Sequence, residues 1–145
     1  MTELVFVDTN VLVYARNIAE VTKQREASRW IAALWHTERG RLSFQVLAEY
    51  YLTLTTKLRG FDPASVRADV RSFLAWSPVA VDLPLLEQAW RMQDRYRLSF
   101  WDALIASAAH SIRCRYLLTE DLQHQQRIEG VTVLNPFRTG PEMLR

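Results

Sequence analysis

The 145-residue chain is short of the residues that usually announce a special class of protein. It has one cysteine, Cys114, so no internal disulfide can form, and a buried thiol in a reducing compartment is the expectation. Its four glycines build no Gly-rich loop of P-loop or dinucleotide-binding form. The histidines His36, His110 and His124 lack zinc-ligand spacing with one another or with Cys114. Apolar runs such as Leu4 to Val7 and Ala103 to Ala109 fall far short of the ~20 residues that cross a bilayer, so no transmembrane helix is expected. The start, Met1 to Asp8, lacks the basic and apolar regions of a secretory signal, and a cytoplasmic location is the expectation. Internal repeats, low-complexity tracts and Pro/Gly-rich linkers are also missing.

What is present describes a folded domain. Hydrophobic residues make up 49% and charged residues 23% of a chain long enough for one core and short for two, so a single domain over 1–145 is expected. Lys+Arg 18 against Asp+Glu 16 gives a net charge of +2, too little to draw polyanions by net charge alone. Only Lys23 and Lys57 are lysines; the other cations are arginines, whose planar fork suits phosphate and carboxylate equally. Arg91, Arg95, Arg97, Arg113 and Arg115 are the candidates for guiding a phosphate backbone, set against the plainer reading of a solvated face. Of the tryptophans, Trp30, Trp76 and Trp90 fall on apolar helical stripes and are expected in the core rather than as base-stacking platforms.

The pattern alternates short apolar runs with longer helical periods. Leu4–Val7 reads as a buried strand, followed at Asp8-Thr9-Asn10 by a helix start. A helix is predicted over 22–39 and ended by Gly40, then a short strand Arg41–Phe44 and a helix over 45–59 with Glu49 in its first turn. Asp62-Pro63 opens a helix through Val66, Val70, Phe73 and Leu74. Pro78–Val81 is a strand candidate, Pro84 starts a helix to about Arg97, and Ser99 to Asp102 has the form of a capping box opening a helix to about Arg113. Tyr116–Leu118 and Val131–Leu134 are the last strands. Strands separated by helices, with almost no hairpin signals, predict an α/β domain with a parallel sheet between helices.

In such sheets ligands bind beyond the carboxyl ends of the strands. Asp8 directly follows the first strand, and Asp121 follows Leu117-Leu118 after Thr119 and Glu120. Glu49 and Asp102 lie near helix starts. Each has a plain alternative: Asp8 and Asp102 as helix caps, Asp121 as the cap of a short helix near Leu122, Glu49 as a surface residue. Brought together, these carboxylates repel one another unless a cation neutralises them, and Mg²⁺ is the natural one for an all-oxygen set that also meets substrate phosphates. A haloacid-dehalogenase phosphatase would need an aspartate where Asn10 stands. A phospho-receiver would need a lysine after a late strand, and both lysines come early.

Four segments in this order resemble the PIN-domain ribonucleases, and within them the VapC-like toxins of toxin–antitoxin pairs: Val7-Asp8-Thr9-Asn10-Val11-Leu12, Val46-Leu47-Ala48-Glu49-Tyr50, Phe100-Trp101-Asp102-Ala103-Leu104-Ile105 and Leu117-Leu118-Thr119-Glu120-Asp121-Leu122. The resemblance implies a three-layer α/β/α sandwich that cleaves RNA with Mg²⁺ or Mn²⁺. It implies Asp8, Asp102 and Asp121 as metal ligands and catalytic residues, with Glu49 as a further ligand or water-positioning group. Thr9 and Asn10 would shape the turn after the first strand, and Thr119 would support the last acid. It also implies a homodimer, no membrane association, and an antitoxin that reaches into the acidic groove. Gln123 stands where many relatives carry a further polar or acidic group, which leaves Glu120 as a rival to Asp121. The alternatives are an inactive RNA-binding or assembly module of the same fold and a structure-specific DNA nuclease.

Overall fold

A computed structural model describes residues 3–58 and 60–144. Its elements run β1 (Val5–Val7), α1 (Thr9–Arg16), α2 (Val21–Thr37), β2 (Gly40–Arg41), α3 (Phe44–Leu52), α4 (Pro63–Ser72), α5 (Leu83–Tyr96), α6 (Phe100–Ser111), β3 (Tyr116–Leu118), β4 (Arg127–Ile128) and β5 (Val131–Leu134). The sheet order is β2-β1-β3-β5-β4, parallel throughout except for the β4–β5 pair. This is the expected α/β architecture with a central, mainly parallel sheet.

The sheet is covered on both faces, as the complete burial of Val5, Phe6 and Val7 requires. From β1 the chain moves to β2 on one side through α1 and α2, and from β2 it crosses back to β3 on the other through α3 to α6. α1 to α4 pack against one another, with Arg16 of α1 paired to Asp69 of α4 and Trp35 of α2 on Phe73, while α5 and α6 pack as a separate pair. The core joins Trp30 and Leu34 of α2, Val46 and Leu47 of α3, and α6, whose residues from Ala103 to Ala109 are all buried. No described helix is long and apolar enough to cross a membrane.

Several local expectations need correction. Gly40 does not end α2; Glu38 does, in the left-handed conformation at φ 60. Gly40 opens β2, and a Cβ there would sit 2.6 Å from the Trp76 ring, so the glycine exists for close packing against the indole. The strand expected over Arg41–Phe44 gives way early, because Ser43 caps α3 through its hydroxyl on the Val46 amide (3.2 Å). Glu49 therefore lies in the second turn of α3, not the first. Beyond Leu52 that helix widens into a π-turn over Thr53–Lys57; its expected end, Arg59, lies outside the described residues.

Pro78–Val81 forms no strand and contributes a single bridge from Val79 to Ser43. An antiparallel hairpin arises instead at β4–β5, where Glu129 (φ 48) and Gly130 (φ 84) make a two-residue turn with both φ positive. Trp90 is 47% exposed, because the buried stripe of α5 runs through Leu85, Ala89 and Met92, about 100° away around the helix. Leu74 also points outward, since the tighter 3₁₀ turn Phe73–Trp76 brings Phe73 and Trp76 onto one face.

Candidate metal centre

β1 and β3 are neighbours from which the chain departs in opposite directions, and the crevice of an open α/β sheet opens at such a pair. Their registers end together, with Val7 opposite Leu118, and the ladder runs one bond further as the Asp8 amide donates to the Leu118 carbonyl (3.0 Å). Asp8 and Thr119 are therefore side by side at the carboxyl edge.

Asp8 is 6% exposed. Its Oδ1 accepts from the Thr9 amide at 2.7 Å and caps α1, while Oδ2 accepts from the Thr119 hydroxyl at 2.9 Å and the Asn10 amide at 3.3 Å. Burial, assisted by the charges of Asp121 and Glu49, pushes its pKa from 3.8 up to about 7, although the Thr119 hydroxyl and Thr9 amide pull the other way. A carboxyl so poised lacks a neutralising charge.

Asn10 is the hub of the network. Its Nδ2 lies 3.1 Å from both Thr119 Oγ1 and Asp121 Oδ2, and its Oδ1 accepts from the Glu120 amide at 3.2 Å. The Thr119 hydroxyl also accepts from the Asp121 amide at 3.1 Å. Asp121 is exposed and caps nothing, since no helix forms at Leu122. The Glu120 carboxylate takes other partners, accepting from the Tyr14 hydroxyl at 2.8 Å and from Lys23 Nζ at 2.6 Å.

Glu49 reaches the crevice because helical side chains lean toward the helix N-terminus. Both its oxygens are held, Oε2 by the Thr9 hydroxyl at 2.9 Å and Oε1 by the Gln45 amide at 3.0 Å. Asp102 sits in the first turn of α6, where the Ser99 hydroxyl caps its backbone amide at 3.1 Å. Burial, together with Asp121 and Glu49, raises its pKa, opposed by the Ser99 hydroxyl.

Hydrogen bonds thus link Asp8, Glu49 and Asp121 through Thr9, Asn10 and Thr119, whereas Asp102 joins them through the shared field alone. Among the described residues, no three acidic, histidine or cysteine side chains close on one point as a ready-made cage. The donors are all hard oxygens in an open arrangement, which suits Mg²⁺, an ion that keeps several waters and takes few carboxylates.

Two positioning roles exceeded what the sequence showed: Thr9 orients Glu49 as well as shaping its turn, and Gln45, one helical turn before Glu49, holds its other oxygen. Arg113 and Arg115 precede β3, with the Arg115 amide on the Leu4 carbonyl (2.9 Å), and so lie at the opposite sheet edge from the acids. Arg95 pairs with Glu129 of the β4–β5 turn at 3.0 Å.

An α/β domain with an acidic crevice at the carboxyl ends of adjacent parallel strands is a defined class, and comparison with known proteins places it. The PIN domain family model matches residues 5–130, and the chain belongs to that family. A toxin–antitoxin complex from Klebsiella pneumoniae is similar over 91% of this chain and 97% of its own, with TM-score 0.62 and 18% identity. The VapC20 toxin of Mycobacterium tuberculosis, described as cleaving the sarcin–ricin loop, is 25% identical over 78% of this chain and 86% of its own, with TM-score 0.61. VapBC2 from Rickettsia felis, bound to a promoter DNA fragment, covers 90% and 96% with TM-score 0.59 and 17% identity. At 18% and 17% identity, the first and third of these likenesses concern the fold alone. No curated protein matches the chain.

Proposed function

We propose that this PIN domain is a metal-dependent endoribonuclease, the toxin of a toxin–antitoxin pair, hydrolysing RNA phosphodiester bonds at the acidic crevice. The observation that carries the reading is Asp8: a nearly buried carboxyl raised to about 7, at a point where Asp121 and Glu49 add negative charge and, among the described residues, no cationic side chain offsets it. A nucleic-acid backbone arrives with more negative charge, so a cation must enter with or before it.

Asp8, Asp102, Asp121 and Glu49 are the residues that would hold Mg²⁺ or Mn²⁺. A bound ion would polarise the phosphoryl group and acidify the attacking water. The chain's own contribution is orientation. Thr119 and Asn10 fix the inner face of Asp8, Asn10 aims Asp121, and Thr9 with Gln45 leaves Glu49 its remaining lone pairs for a metal or a water. The sarcin–ricin loop that VapC20 cleaves makes single-stranded or looped RNA the first substrate class to test. A homodimer, a cytoplasmic location and an antitoxin that inserts a cation into the crevice complete the reading.

The test is cleavage of single-stranded RNA, looped RNA and flapped DNA with Mg²⁺ or Mn²⁺, against EDTA and against Asp8→Ala and Asp102→Ala. RNA cleavage lost in EDTA and in both variants is expected. Full activity of both variants would refute the site; no cleavage of any RNA would favour an inactive binding module, and preference for flapped DNA would favour the DNA-nuclease reading.

A further inference from the structure

We propose that Lys23 is the substrate-side cation of the crevice, donating to an RNA backbone phosphate beside the scissile bond; the proposal rests on the ribonuclease reading. Four carboxylates repel a polyanion, and a bound divalent ion is shared with those acids. Backbone phosphates are held in register by fixed cationic donors. Arg113 and Arg115 lie at the wrong sheet edge for that task.

Lys23, near the start of α2, is tied to the segment that carries Asp121. Its Nζ lies 2.6 Å from Glu120 Oε2 and 3.3 Å from the Tyr14 hydroxyl. It also sits 4.9 Å from the Tyr14 ring centroid and 5.2 Å from that of Phe137, two rings packed edge to face at 5.3 Å. The Glu120 amide bonds to Asn10 Oδ1 at 3.2 Å, and the same Asn10 side chain donates to Asp121 at 3.1 Å. The ammonium is therefore fixed relative to Asp121 through one short chain of contacts.

An ammonium has three donors, and Glu120 and Tyr14 engage two. The side chain is still 37% exposed, which leaves the third open to an incoming oxygen. The ion pair is partly exposed and screened, so a phosphate can share the ammonium while Glu120 and Tyr14 keep it in place. In a chain whose other cations are arginines except for Lys57, a compact point charge here suits one phosphate oxygen rather than a bidentate fork.

The experiment measures binding of a labelled mixed-sequence single-stranded RNA with Ca²⁺ in place of Mg²⁺, over a range of salt, for the parent chain, Lys23→Met, Lys23→Arg and Glu120→Gln. Lys23→Met should weaken binding about three- to tenfold and flatten the log K against log salt slope by about 0.7, the value for one lost single-strand phosphate contact. Lys23→Arg should hold most of the affinity. Glu120→Gln breaks the ion pair but keeps the cation, and should bind RNA at least as well as the parent. Mn²⁺ affinity, read by calorimetry without RNA, should be unchanged in Lys23→Met. If Lys23→Met and Glu120→Gln weaken RNA binding alike, or if Lys23→Met changes only stability or Mn²⁺ affinity, the lysine is a loop clamp and the proposal is overturned. No RNA binding by the parent would overturn the ribonuclease reading itself, and this proposal with it.

Discussion

Asp8 should make the metal-free protein less stable as pH rises, and the size of the effect follows from its burial. The folded carboxyl has a pKa of about 7 against 3.8 in the unfolded chain, so the folded state holds its proton more tightly. Below about pH 4 both states are protonated and Asp8 contributes no pH dependence. Between about pH 4 and 7 the unfolded chain ionises while the folded one does not, and stability falls by up to about 1.4 kcal/mol per pH unit. Above about pH 7 the penalty levels off near about 4 kcal/mol, a large share of the 5–15 kcal/mol that holds a typical domain. Asp8→Asn isolates the effect. The variant loses an acceptor to Thr119 and Asn10, a fixed cost, but it does not titrate. The difference in urea-unfolding free energy between parent and variant, in EDTA, should therefore drift against the parent by about 4 kcal/mol from about pH 4 to 8. Mg²⁺ should reverse the drift, stabilising the parent more at about pH 8 than at pH 5, where protons compete for the same oxygens. A flat parent-minus-variant difference, or equal stabilisation by Mg²⁺ at both pH values, would refute the reasoning.

Other perturbations separate the elements of the site. Asp121→Asn removes a charge that raises Asp8, so NMR titration of Asp8 in EDTA should show a lower pKa than in the parent. Thr9→Val leaves the fold in place but frees one Glu49 oxygen; calorimetric Mn²⁺ affinity or cleavage rate should fall about 10- to 100-fold with little change in Tm. Ser99→Ala removes the cap of α6 and the hydroxyl that lowers the Asp102 pKa, so thermal unfolding should show a loss of about 1 kcal/mol and titration a higher Asp102 pKa. Gly40→Ala drives a methyl into the Trp76 ring and should destabilise by about 1–3 kcal/mol in urea, with RNA cleavage per folded molecule unchanged.

The parts legible in the sequence were those in which a local signal and the tertiary outcome agree. β1 is a fully buried apolar run, β3 and β5 are mostly apolar and buried apart from the half-buried Tyr116 and Thr132, and α6 was announced by Ser99 three residues before Asp102. The α2 stop was not legible, because Glu38 adopts the left-handed conformation unaided while the nearby glycine serves a tryptophan distant in sequence. Pro78–Val81 has strand composition but pairs only through Val79, which bonds to Leu42 and Phe44, a tertiary fact that composition does not carry. At the site, the four carboxylates were readable, but their wiring was not. Thr9 to Glu49 spans 40 residues and Asn10 to Asp121 spans 111, and no local spacing encodes either contact. Glu120 and Asp121 are adjacent and chemically alike; it is Tyr14 and Lys23, both distant in sequence, that engage the Glu120 carboxylate and leave Asp121 to Asn10.

A capping role and a metal-binding role, which compete as readings of an isolated aspartate, are compatible in this fold. Asp8 uses one oxygen to cap α1 and presents the other to Thr119 and Asn10, so the cap is what aims the second oxygen at the crevice. Asp102 is fixed by the same device, the Ser99 cap that starts α6. α1 leaves the sheet at its carboxyl edge and α6 runs back to the amino end of β3, so both helices direct their N-termini at the acids. Each N-terminus carries a partial charge of about +0.5, and two of them offset about one of four negative charges. Burial raises Asp8, and the uncancelled charges of Asp121 and Glu49 add to it. On the metal-dependent reading, a divalent ion would offset most of the remaining negative charge, so that one fixed cation beside the crevice, rather than a second strongly positive surface, would suffice to hold an RNA backbone.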